Sequence, residues 1–175
     1  MTQNGHPDKW EWIRGTLGRY EGELLRYAQR LTGDVEAARD VVQETFLRLC
    51  REEPAKLDGH LGEWLFTVCR NKAFDVRRKE RRMTTVAETR FAQETTHECP
   101  PAELAERRDS AGRILDLVDS LPDNQQEVIR LKFQNGLSYK EISGVTGLSV
   151  SNVGFLLHVG LKAIRRQLCP ADAGS

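Results

Sequence analysis

The densest chemistry in this sequence is cationic. Arg70, Asn71 and Lys72 are followed by RRKERR at 77–82, and residues 63–82 hold seven Lys/Arg against three Asp/Glu, a net of +4. Cations this close repel one another unless water or an anion neutralises them. A phosphate backbone does so with release of counterions, which makes binding salt-dependent. A solvated helix face is the plainer outcome of the same run. A second concentration is polar and lies further along. Ser138-Tyr139-Lys140-Glu141 forms an S-x-x-E capping box before Ile142 and Val145, Gly147 suits a sharp turn, and Ser149 or Ser151 caps a last helix running to about Leu168. Val153, Leu157, Leu161, Ile164 and Leu168 give that helix a buried face, leaving Ser151, Asn152, Gly154, Phe155, His158 and Lys162 outward. A short helix, a Gly turn and a second helix in that order predict a helix-turn-helix, whose second helix offers its N-terminal residues to base edges. Asn152 is suited to adenine, and His158 to a base or a phosphate. An ordinary helical hairpin is the plainer alternative.

Other chemistries find little support. No GxGxxG, Walker, GxSxG or HExxH pattern occurs, so no catalytic constellation is expected. His6, His97 and His158 lack ligand-spaced neighbours, and His97-Glu98-Cys99 lacks a fourth metal donor. The four cysteines, at 50, 69, 99 and 169, include no CxxC pair, which fits free thiols in a reducing cytosol. No apolar run approaches the roughly 18–20 residues of a membrane span, and the polar Met1 to Lys9 stretch has no secretory core. A cytoplasmic protein without membrane insertion is expected.

The elements that must hold these groups read as helices. Leu24, Leu25, Ala28 and Leu31 share one helical face; Gly33 then suits a helix end and Asp34 an N-cap. The next helix places Ala38, Val41, Val42, Thr45, Phe46 and Leu49 on one side and charges on the other. Residues 52–62, EEPAKLDGHLG, read as a loop. A helix from about Glu63 to Arg82 follows, with Trp64, Leu65, Val68, Cys69, Ala73 and Val76 as its buried stripe. From Met83 to about Arg107 the pattern dissolves into Thr, Glu and Gln around Cys99-Pro100-Pro101, a linker composition. Ile114, Leu115, Val118 and Leu121 mark a further helix that Pro122 interrupts, and Val128, Ile129, Leu131 and Phe133 mark another ending at Asn135-Gly136. The expected fold is all-α: small helical domains at 1–82 and 108–170, an 83–107 linker and a 171–175 tail. The formal net charge of zero hides alternating blocks, from −2 over residues 1–53 to +4 over 63–82 and −3 over 83–107.

Taken together, these segments resemble the extracytoplasmic-function (ECF) subfamily of bacterial RNA polymerase sigma factors. ARDVVQETFLRLC (38–50) is similar to that family's polymerase-clamp-binding segment, and WLFTVCRNKAFDVRRKERR (64–82) to its promoter-melting, minus-ten-binding helix. Residues 121–168 are similar to its minus-thirty-five-binding domain. The resemblance implies that Asp40, Gln43, Glu44, Leu47 and Arg48 dock on the clamp coiled coil of core RNA polymerase, with the polymerase flap as a further contact. It implies that Arg70, Asn71, Lys72, Arg77, Arg78, Arg81 and Arg82 hold the minus-ten DNA. Lys56, Asp58 and His60, in the loop Pro54–Gly62, become the polar candidates beside an extruded base. Ser138, Tyr139, Lys140, Ser149, Ser151, Asn152, Gly154, Phe155, His158, Lys162 and Arg165 fall to the minus-thirty-five duplex. Implied partners are core polymerase, double-stranded and melted promoter DNA, and an anti-sigma protein; no cofactor or metal is implied. The alternatives are a sigma-like regulator that binds polymerase or a partner without initiating, and a generic helix-turn-helix repressor. In one respect the sequence departs from the family pattern. Gly154, Leu156, Val159 and Leu161 stand where Lys or Arg are common, and an exposed Phe155-Leu156 pair beside so few cations predicts weaker or partner-assisted binding by this domain.

Overall fold

The computed structural model describes residues 7–87 and 110–169, and every described element is a helix, a turn or a bend. The chain divides into two compact units. The first contains α1 (Pro7–Thr32), α2 (Val35–Leu49), the single turn α3 (Pro54–Leu57) and α4 (Leu61–Ala87). The second is built on α5 (Ser110–Asp119), α6 (Asp123–Phe133), α7 (Tyr139–Thr146) and α8 (Val150–Leu168). His6 and the His97-Glu98-Cys99 cluster lie outside the described residues, as does most of the expected linker. Its first five residues, 83–87, continue α4.

In the first unit α1, α2 and α4 pack against one another. Helix α1 buries Ile13, Thr16, Leu24, Tyr27 and Ala28, which fall on one face of the helix. It ends where Gly33 takes a left-handed φ of 77° and donates its N–H to the Gln29 carbonyl at 2.8 Å. Asp34 then accepts the Ala37 N–H at 2.7 Å and starts α2. All six apolar-face positions expected for α2 are buried, including Thr45, whose hydroxyl donates to the Val41 carbonyl at 2.8 Å. Helix α4 differs from expectation. It begins at Leu61 and buries Leu65, Phe66, Cys69 and Ala73, while Trp64, Val68 and Val76 are only half-buried. Phe66 meets Tyr27 edge-on, with ring centroids 5.3 Å apart, a contact that ties α4 to α1. Each such fully buried side chain contributes roughly 1.5–3 kcal/mol of burial free energy.

In the second unit the α5–α6 junction is locked by polar side chains. Gln126 donates to the carbonyls of Asp119 and Leu121, at 2.9 and 2.7 Å, and so satisfies groups that the end of α5 leaves open. Arg130, only 4 % exposed, pairs with Asp119 and reaches Gln134 at 3.3 Å. The expected capping box is present on α7: Ser138 accepts from the Glu141 N–H, and the Glu141 carboxylate accepts from the Ser138 N–H. Gly147, with φ 74°, closes α7, and of the two serines offered as the next cap it is Ser149 that accepts the Asn152 N–H.

Helix α8 buries Val153, Leu156, Leu157, Gly160 and Ile164. Leu161, expected inside, is 37 % exposed and Leu168 is exposed, while Leu156, expected outside, is buried. The cause is Gly160. A Cβ there would stand 2.6 Å from the Ile129 Cδ1, so α6 seats on α8 at that glycine and rotates the buried stripe toward it. Gly160→Ala therefore forces Ile129 to move, at about 1–3 kcal/mol, more than the roughly 1 kcal/mol of helix propensity that alanine returns. At Gly154 a Cβ would sit 3.6 Å from the Tyr139 ring, an ordinary contact. Thermal unfolding followed by circular dichroism is expected to show a lower Tm for Gly160→Ala and an equal or higher Tm for Gly154→Ala.

Candidate nucleic-acid and polymerase interfaces

Three helical faces carry the candidate residues. On α2, Asp40, Gln43, Leu47 and Arg48 are exposed and Glu44 is half-buried, opposite the core face. Arg48 Nε lies 3.5 Å from Glu44 Oε1, so the cation is partly neutralised and the face stays acidic. Leu47 is 50 % exposed among these polar groups. An apolar side chain ringed by charge is the ordinary centre of a protein contact.

Helix α4 carries the cations along its second half. Arg78, Lys79, Arg81 and Arg82 are exposed and Arg77 is half-buried; Arg78 pairs with Asp75. Phe74, absent from the expected site, is 37 % exposed, and the Arg70 guanidinium stands 4.6 Å from its ring centroid. Phe74, Arg77, Arg78, Arg81 and Arg82 line an open groove of about 500 Å³. Phosphate neutralisers beside an aromatic face are what a single strand requires. The signal was legible in the sequence, since positions 70, 74, 77, 78 and 81 share one helical face. Asn71 is exposed and Lys72 half-buried, and Lys72 lines a neighbouring groove with Asp75, Arg78 and Lys79.

The segment 52–62, expected to be a loop, holds α3 and a turn at Gly59 of φ 77°. Trp12 of α1, also missed, joins Pro54, Leu57, Asp58 and Leu61 around a cavity of about 350 Å³. Of the three polar candidates only Asp58 lines it. Lys56 Nζ lies 3.4 Å from Glu53, and a His60 ring nitrogen lies 3.2 Å from the Asp58 carbonyl.

Between α7 and α8 the chain bends by 103°, with Gly147, Leu148 and Ser149 as the turn, inside the range of helix-turn-helix motifs. Ser151, Asn152, Phe155, His158, Lys162 and Arg165 are exposed on α8. Gly154 is half-buried against Tyr139, and Lys132 stands 5.4 Å from the Tyr139 ring centroid. Lys140 is exposed. Ser138 and Ser149 are committed to the caps already described. The buried Leu156 corrects the expected apolar pair to Phe155 alone.

Cys69 is enclosed in the first unit, and burial pushes its thiol from 9.0 up to about 12, against a smaller lowering by Thr45. The neutral form is thus favoured in the fold. Stability from this site is full below pH 9, where the unfolded thiol is also protonated, and falls as pH rises from 9 toward 12. Denaturation of wild type and Cys69→Ala at rising pH is expected to show a steeper loss for wild type, and thiol labelling at pH 8 is expected to modify the exposed Cys169 while sparing Cys69.

No group of three or more His, Cys, Asp or Glu side chains suited to a metal occurs among the described residues. No single described helix is long and apolar enough to cross a membrane.

Comparison with known proteins accounts for both units. Residues 17–83 match the family description "Sigma-70 region 2", and residues 111–164 match "Sigma-70, region 4", so the class is that of sigma-70 proteins carrying these two regions. The chain is 33 % identical over 158 residues to the ECF RNA polymerase sigma factor SigL of Mycobacterium tuberculosis, covering 89 % of this chain and 88 % of the relative. It is 28 % identical over 134 residues to the ECF RNA polymerase sigma factor SigM of Bacillus subtilis, covering 76 % and 80 %. A solved structure of the sigma factor RpoE of Bartonella quintana, in complex with the anti-sigma factor NepR, shares the fold with a TM-score of 0.66 at 20 % identity, covering 91 % of this chain and 98 % of that one. The chain belongs to the ECF family of sigma factors, and its function is that of an alternative sigma factor in transcription initiation.

Proposed function

We propose that the three faces divide the work of initiation. Helix α2 docks on the clamp coiled coil of core RNA polymerase through Asp40, Gln43, Glu44, Leu47 and Arg48, an acidic face with an apolar centre against a basic helical partner. Helix α4 holds the minus-ten strand with Arg70, Asn71, Lys72, Arg77, Arg78, Arg81 and Arg82, and Phe74 stacks on an unpaired base. The turn around α3 borders the extruded base through Asp58, with Lys56 and His60 nearby. In the second unit Tyr139, Lys140, Ser151, Asn152, Gly154, Phe155, His158, Lys162 and Arg165 meet the minus-thirty-five duplex, with Ser138 and Ser149 fixing the two helix starts. The chain supplies binding and placement while polymerase supplies catalysis, and it works in the cytoplasm. An anti-sigma protein restrains it, as the Bartonella quintana relative is held in its complex.

The observation that carries this reading is the α4 face, where arginines and an exposed aromatic ring share one groove. Run-off transcription with purified core polymerase tests it. Wild type is expected to yield specific transcripts, and Leu47→Asp to lose them through failure to join polymerase, a loss of about 2 kcal/mol (~30-fold in affinity) from burying a charge at the centre of the contact. Polymerase binding without transcripts from any promoter would favour the non-initiating regulator.

A further inference from the structure

We propose that Phe155 reads one thymine of the upstream element through the C5-methyl group of that base. The inference rests on the reading of α8 as a major-groove helix and adds what its head recognises. Phe155 lies in the second turn of α8 and is 63 % exposed. At about 100° per residue, Ser151, Asn152, His158, Val159, Lys162 and Arg166 fall within about 60° of it, while Val150 and Leu161 lie more than about 100° away. The face is therefore a polar stripe with one large apolar group. Its cations, Lys162 and Arg166, sit two or more turns further along, and none occupies the first two turns. Phosphate contacts thus belong to the tail of the helix and base contacts to its head.

An aromatic ring exposed to water gains nothing in the free chain, and Leu156, its apolar neighbour in sequence, is buried. Phe155 stands near the start of the second helix of a helix-turn-helix, where such motifs place the side chains that reach base edges. It matches the one apolar feature that base pairs present in the major groove, the thymine methyl. Ser151, Asn152 and His158 then surround that contact with donors and acceptors for the adjoining bases.

The test uses the full chain bound to core polymerase. Duplexes are first selected from a library randomised across both promoter elements. Each dT of the selected upstream element is then replaced singly by dU, which removes only the methyl group. Competition binding is expected to show one position where dU weakens wild type about fourfold, the effect of one buried methyl group. Phe155→Ala is expected to bind dT and dU equally there and to keep the wild-type salt dependence, because no charge is removed. Tolerance of dU at every position by wild type, or a dU penalty that persists in Phe155→Ala, would overturn the proposal while leaving the sigma function intact. Enrichment of a minus-ten element with no upstream consensus would instead remove the reading of α8 on which the proposal rests.

Discussion

Replacing Arg77, Arg78, Arg81 and Arg82 together with alanine is expected to lower promoter affinity roughly 100-fold at about 0.15 M salt and to reduce the slope of log affinity against log salt by about 3. Four guanidinium groups are removed, and about four phosphates lose their counter-charge, since the exposed Arg78–Asp75 pair is weak enough to yield to a phosphate. Each contributes a slope of roughly 0.7 on single-stranded and 0.9 on duplex DNA. The fold is expected to survive, because Arg78, Arg81 and Arg82 are exposed, Arg77 is half-buried, and mutual repulsion falls when they go. Phe74→Ala serves as the contrast. It is expected to cost about 1–3 kcal/mol through lost base stacking without changing the salt slope. Filter binding across a salt series, with core polymerase present, separates the two effects.

The second large effect is on stability. Asp119→Ala is expected to destabilise the second unit by about 1.5–3 kcal/mol, because it removes the charged partner of a buried guanidinium and leaves it with Gln134. Small domains hold only about 5–15 kcal/mol in total, so much of the population would unfold on mild heating. Arg130→Met is expected to cost far less, since it leaves behind Asp119, a carboxylate with solvent access, and fills the same space with an apolar chain. The three tryptophans, Trp10, Trp12 and Trp64, all lie in the first unit. Asp119→Ala should accordingly lose helical circular dichroism at a temperature where tryptophan emission is unchanged. Loss of both signals together, or equal Tm values for Asp119→Ala and Arg130→Met, would refute the argument.

Which features were legible in the sequence follows from how local their causes are. The Asp34 cap, the Ser138–Glu141 box and the turns at Gly33 and Gly147 depend on a few adjacent residues, and all were readable in advance. The α2 core face was readable because apolar and charged residues occupy opposite sides without ambiguity. Helix α8 offered no such contrast. Its stretch Val153 to Leu161 is apolar on more than one side, and the stripe that faces inward is decided by Ile129 seating on Gly160, a contact between residues 31 positions apart. The burial of Phe66 is illegible for the same reason, since it depends on Tyr27 in another helix. The α3 turn was hidden by the Pro and Gly that flank it, residues that mark loops but also open and close short helices.

The corrected α8 face also changes what its shortage of cations means. With Leu156 inside and only Phe155 outside, the expected apolar pair becomes a single ring at the head of the helix, while Lys162, Arg165 and Arg166 keep charge at its tail. On the proposed reading such a helix holds fewer phosphates and leans on the rest of the initiation complex for its position.

That dependence makes association with polymerase the point on which the account turns. Fluorescence titration of the labelled full chain with purified core RNA polymerase measures it directly. Saturable binding is predicted for wild type and for the four-arginine variant, with loss of binding for Leu47→Asp. An absence of saturable binding by wild type, or equal binding by Leu47→Asp, would contradict the role assigned to α2.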